Sequence, residues 1–140
     1  MIKDTSVLND IRCEWETVRF TKEMVTSNVA TGFFVSHGIL SADLGSIELA
    51  NSLLVLFAFS VLERVLLQLR NEGQFQSTKI NLGCLMAASQ NALPWQDYAL
   101  VDQARGKRND IAHRRQWIGQ AEGHKYIDAI EKELTLWTIL

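Results

Sequence analysis

Late in the chain, Arg108, Asn109 and His113 stand close together in the stretch QARGKRNDIAHRRQW. An imidazole, with an unperturbed pKa of about 6.5, accepts or gives up a proton near neutrality. A guanidinium keeps its charge and presents forked donors that match phosphate oxygens. These groups suit the cleavage of RNA, which carries its own nucleophile in the 2′-hydroxyl. Such a reaction needs a base, an acid and a cation to steady the phosphorane, and no metal is required. His113 is the proton-transfer candidate and Arg108 the transition-state clamp. Asn109 is placed to orient either the phosphate or the histidine.

The surroundings of these residues are cationic. Between Arg105 and Arg115 lie Arg105, Lys107, Arg108, Arg114 and Arg115, with Asp110 as the sole acid, a local charge of +4 in a chain whose formal charge is -2. The remaining residues therefore sum to -6, and the positive charge is concentrated in one place. Concentration of this kind lets a mildly acidic protein hold a phosphate chain, so Arg105, Lys107, Arg114 and Arg115 are expected to contact flanking phosphates. A solvated basic helix face is the plainer reading of the same charges.

The helix that carries the motif sets a geometric problem. At about 100° per residue, Asn109, His113 and Trp117 share one face, whereas Arg108 lies about 140° from His113. One helix cannot aim both at a single phosphate unless the arginine wraps round, helped by a bend near Gly106. A two-fold dimer with facing motifs is the other solution.

The elements around the motif read as helices throughout. Apolar residues make up 47% of the chain and charged residues 21%, which supports a hydrophobic core and excludes disorder. A single proline, Pro94, and eight scattered glycines leave few obligatory breaks. Leu8, Ile11, Trp15, Val18 and Val25 mark an amphipathic helix from about Asp4 to Val25. A serine- and glycine-containing connection follows, and then a helix from about Ile47 to Arg70 that is apolar nearly all round. The segment Leu49 to Leu62 within it is short for a bilayer and is flanked by Glu48, Glu63 and Arg64, so it is expected to be a buried helix, with a dimer face as a further use. Ser77 or Thr78 is expected to cap a shorter helix that ends near Gln90. Pro94 opens the motif-bearing helix, which is expected to run to about Ile118. GQAEG then breaks the chain before a terminal amphipathic helix from about Tyr126 to Leu140. The expectation is an all-α single domain spanning residues 1–140, a bundle of four principal helices plus a short one.

The R-N-x-x-x-H arrangement, placed late in a small helical chain, resembles the HEPN (higher eukaryotes and prokaryotes nucleotide-binding) superfamily. Its mark is an arginine, usually followed by a polar residue, with a histidine little more than one helical turn further on. The resemblance covers the motif closely and the rest of the chain as helix order and length. It implies a HEPN-like bundle that forms a homodimer and a metal-independent endoribonuclease of toxin–antitoxin or phage-defence type. The active site would be composite, with RNA as substrate and a cognate antitoxin protein as partner. One branch of the superfamily has a tyrosine two residues after the histidine; Arg115 stands there in this chain, so that branch's modification scheme does not carry over. The rival implication is a non-catalytic HEPN-like module that binds a nucleotide or RNA end, or ties the dimer together. A helical DNA-binding regulator built on the Ser77 to His113 region would need an exposed recognition helix, and the polar face there is short.

Other residues have plainer readings. Glu63 either pairs with Arg108 inside the bundle or reaches solvent from a helix end. Trp117 either stacks a base or packs near a dimer face, and packing is the commoner use. His37 and His124 sit in glycine-containing connections without partners at ligand spacing and are expected to be surface residues, with no metal or other cofactor. Cys13 and Cys84 are far apart, show no C-x-x-C spacing and are read as small core residues of a chain kept in a reducing cytoplasm. The pairs Glu14/Glu16 and Glu131/Glu133 point apart on helices, and no nucleophile elbow or phosphate-cradling glycine loop occurs. The first residues lack the pattern of a secretory signal, and no membrane association is expected.

Overall fold

Asp4 begins the first helix, its carboxylate accepting the otherwise orphaned amides of Ser6 and Val7. The computed structural model describes residues 2–26 and 40–140, with side chains from residue 47 onward in the second stretch. These residues form five α-helices and, among the described residues, no strand: α1 (Thr5–Met24), α2 (Leu40–Asn71), α3 (Leu82–Ser89), α4 (Tyr98–Arg114) and α5 (Gln120–Leu136). An all-α bundle is therefore the observed class. The expected connection falls partly outside the described residues, and its last part, from Leu40 onward, belongs to α2.

The apolar second helix is the axis of the fold, because α2 packs against each of the other four helices. Val55, Phe59, Leu62, Leu66 and Leu69 are completely buried, facing Ile11, Trp15 and Val18 of α1 and Ile127, Ile130 and Leu134 of α5 within one hydrophobic core. The stretch Ile47–Asn71 is long and apolar enough to cross a membrane by length and composition alone, yet more than half of its most apolar part is buried within the bundle. Its exposed remainder is a stripe of Leu49, Leu53 and Phe57 one turn apart, of which Leu53 and Phe57 share a groove with Thr21 of α1 and Val25 at its end; Phe20 and Met24 of α1 are exposed too, Phe20 at 63% and Leu53 at 54%.

Turn chemistry departs from expectation at several joints. Gly73 closes α2 in the left-handed region at φ 80°, where a side chain would be strained, and its amide returns to the Arg70 carbonyl at 2.9 Å. The cap of α3 is Asn81, not Ser77 or Thr78, and its Oδ1 accepts the Cys84 amide at 3.0 Å. Ser77 instead bonds the Lys79 carbonyl, and its own carbonyl accepts Arg70 Nε. GQAEG is not a break: α5 starts at Gln120, and Gly123 is buried against Asn51 and Val55 of α2. His124 consequently sits half-buried in a helix, 3.5 Å from the Thr26 hydroxyl, rather than on a surface connection. Burial lowers its pKa, and Lys22 adds to this against the opposing pull of Asp128. His37 lies outside the described residues. Cys13 is exposed and Cys84 half-buried, so neither is a fully buried core residue; Cys13 falls on the solvent side of α1, opposite Ile11 and Trp15.

Candidate functional site

The start of α4 is held by a buried carboxylate. Glu133 of α5 is 1% exposed and accepts the Gln96 amide at 2.8 Å and the Asp97 amide at 2.7 Å. Asp97 then caps α4 by accepting the Leu100 amide at 3.0 Å. Trp95 stands edge-on to both Tyr98, with centroids 5.2 Å apart, and Trp137, at 4.6 Å, and its Nε1 donates to the Ser89 hydroxyl. Pro94 therefore precedes the helix by four residues instead of opening it. From this root α4 runs unbroken through Gly106 to Arg114, short of Ile118. No break in the helix at Gly106 helps Arg108 wrap toward His113.

On α4 the buried residues are Val101, Ala104 and Ile111. The helical repeat puts Arg108 in the same stripe, one turn beyond Ala104 and one turn before Ile111. An arginine thus occupies a register that elsewhere in the helix takes an apolar residue. Its Nε is fully buried and has no hydrogen-bond partner among the described residues, while Nη1 donates to Asn109 Oδ1 at 3.1 Å. Asn109 accordingly orients the arginine and not the histidine.

Arg108 and Asn109 line a cleft of about 210 Å³ together with Glu63 of α2, Arg105 of α4 and the first residues of α3, Asn81 to Gly83. The guanidinium of Arg105 lies over Gly83, close enough that a Cβ there would come within 3.2 Å of Nη1, and its Nε donates to Asp102 at 2.8 Å. Glu63 faces the same cleft as Arg108, but no ion pair joins them, and Glu63 has no partner among the described residues. The expected pairing of Glu63 with Arg108 is reduced to a shared cleft.

His113 lies elsewhere. It is exposed in the last turn of α4, one turn beyond Asn109, and bonds to nothing among the described residues. Arg114 pairs with Asp110 at 3.3 Å, and Lys107 lies 4.0 Å from Glu122 on α5. Glu122 also accepts the Tyr126 hydroxyl at 2.8 Å, which, after burial, pushes that phenol up to about 12. The helix ends at Arg115, a non-glycine residue held at φ 54°, whose amide returns to the Asp110 carbonyl. Trp117, 43% exposed, is not packed into the core. Beyond it, the Ile118 amide donates to the buried Ser52 hydroxyl, which anchors the chain to α2.

The chain therefore gathers Arg105, Arg108, Asn109 and Glu63 into a cleft and leaves His113, Arg114 and Arg115 on the helix end. The charge of the region is also less bare than the sequence suggests: Asp102, Asp110 and Glu122 pair with Arg105, Arg114 and Lys107. Among the described residues, Arg108 and Arg115 are the cations of this stretch without a carboxylate partner. Sequence reasoning missed Asn81 and Gly83 because neither lies near the motif in the chain. Comparison of the chain with family models, with curated proteins and with solved structures finds no match.

Proposed function

We propose that this protein is a metal-independent endoribonuclease of the HEPN type, working as a homodimer. The observation that carries the proposal is the exposed imidazole of His113, free of any described partner at a cationic helix end, next to the Arg108–Asn109 pair on the same helix. A histidine kept for packing would be buried and hydrogen-bonded. In the proposed reaction one His113 removes the proton from the ribose 2′-hydroxyl, whose oxygen attacks the adjacent phosphorus. The second His113 protonates the departing 5′-oxygen, leaving a 2′,3′-cyclic phosphate and a 5′-hydroxyl. Arg108 balances the extra negative charge of the phosphorane, and Asn109 holds Arg108 in place. Arg105, Lys107, Arg114 and Arg115 hold neighbouring phosphates.

Two copies are needed because Arg108 and His113 diverge on one helix. The exposed stripe of Phe20, Met24, Leu49, Leu53 and Phe57 supports association. In the proposed dimer this stripe is the contact and the two His113 side chains meet beside it; in support, the Ile118–Ser52 bond ties the chain just after α4 to α2 one residue from Leu53. A nuclease of this kind, active in the cytoplasm, calls for a restraining antitoxin partner.

The test is incubation of purified protein with mixed structured RNAs in excess chelator, beside His113→Ala and Arg108→Ala. The wild type is expected to cut and to leave cyclic-phosphate ends, and His113→Ala to lose at least about a hundredfold in rate while keeping its fold and dimer. Equal cleavage by wild type and His113→Ala would overturn the assignment.

A further inference from the structure

We infer that the cleft between α4 and the start of α3 is a phosphate-binding subsite, separate from the His113 end. Three independent features converge there. Arg105 and Arg108 both line it, and the buried Arg108 Nε lacks a described partner. The first turn of α3 opens onto it: Asn81 occupies the Cys84 amide and its carbonyl takes the Leu85 amide, leaving the Leu82 and Gly83 amides without acceptors among the described residues. Gly83 has no Cβ, so the Arg105 guanidinium comes down directly on the helix backbone.

Arg105 gives its Nε to Asp102 and Arg108 its Nη1 to Asn109, which leaves the buried Arg108 Nε and the two amides at the positive end of the α3 dipole as donors without an acceptor among the described residues. A cleft of about 210 Å³ has room for a phosphate group. The acid in the cleft, Glu63, is unpaired, and its carboxylate competes with an incoming anion for Arg108. The subsite therefore takes a tetrahedral phosphate, with Glu63 setting the affinity. The identity of the phosphate as part of an RNA strand rests on the ribonuclease reading: Arg108, at the edge of the cleft, steadies the scissile phosphate, and Arg105 with the α3 amides seats the next phosphate along the strand. The subsite itself rests only on the cleft.

The experiment is a titration of the full chain with inorganic phosphate, followed by the amide signals of Leu82 and Gly83 in two-dimensional NMR. Saturable shifts at those two amides are expected. Arg105→Gln should weaken the affinity roughly tenfold and Glu63→Gln tighten it roughly fivefold. Gly83→Ala, which pushes the Arg105 guanidinium away, supplies a second route to the same loss, with thermal unfolding checking that each variant is folded. Unsaturable shifts spread over all basic residues, or no effect of Arg105→Gln, would overturn the inference. A 2′-O-methyl oligonucleotide, which cannot be cut, is then added to the phosphate-loaded protein. Displacement of phosphate assigns the subsite to the RNA strand, whereas RNA binding without displacement removes that assignment. Phosphate binding in a chain that cuts no RNA would keep the subsite and refute the nuclease; cutting without phosphate binding would do the reverse.

Discussion

The two ends of α4 are built to different standards. Its first turn is fastened by Glu133, which spends its carboxylate on the amides of Gln96 and Asp97, and by Trp95 wedged between Tyr98 and Trp137. Its last turn and cap have an exposed histidine and two exposed arginines, the second of which is left-handed although it is not glycine. The fastened end matches its capping amides with carboxylates, although the Trp137 Nε1 beside it is buried without a partner among the described residues, and the open end leaves its imidazole unused. Stability and the proposed chemistry are thereby kept apart on one helix of 17 residues.

Substitutions at the two ends should consequently read out differently. The largest loss is expected from Trp137→Ala, which empties a buried site beside Trp95 and should cost about 3–5 kcal/mol in urea unfolding. Glu133→Ala removes the acceptor of two part-buried amides and should cost about 1–2 kcal/mol, with Glu133→Gln recovering part of it; an effect below about 0.5 kcal/mol would show that the fastening is ornamental. Between these and the open end lies Tyr126. Because its folded pKa is raised, to about 12, the stabilisation it gives is complete below the unfolded value near 10 and is lost as pH rises through about 12. Alkaline denaturation of Tyr126→Phe should lack that step. At the open end Arg115→Gly should stabilise the fold by about 1 kcal/mol by relieving the positive φ, while weakening RNA binding through the lost charge. His113→Ala should change stability by less than about 0.5 kcal/mol, and a larger loss would place the histidine in a packing role.

Much of the bundle was legible in the sequence because helical periodicity is a local signal. The start of α1 near Asp4, the buried α2 and the core residues Ile11, Trp15 and Val18 follow from spacing alone. Less legible was what depends on partners distant in the chain. In the sequence Glu133 is only one of a pair of acids that point apart on a helix, because nothing near it announces two amides that lie 36 and 37 residues earlier. Asn81 outcompeted Ser77 and Thr78 as a cap because the chain needs several more residues to turn off α2 before α3 can begin. The motif residues were found by type, but the inward register of Arg108 was obscured by its charge, which breaks the apolar pattern that would have marked it. The separation of Arg108 from His113 follows from 100° per residue, and the unbroken α4 preserves it.

The reliance of α4 on Glu133 also fixes an order of assembly during synthesis. A growing chain exposes the Gln96 and Asp97 amides well before the residue that will accept them has been added. Until residue 133 emerges, the root of α4 must be satisfied by water and the helix remains free to fray. The cationic motif is thus translated early and secured late, so a nascent chain carries the residues of the proposed nuclease without yet holding them in place.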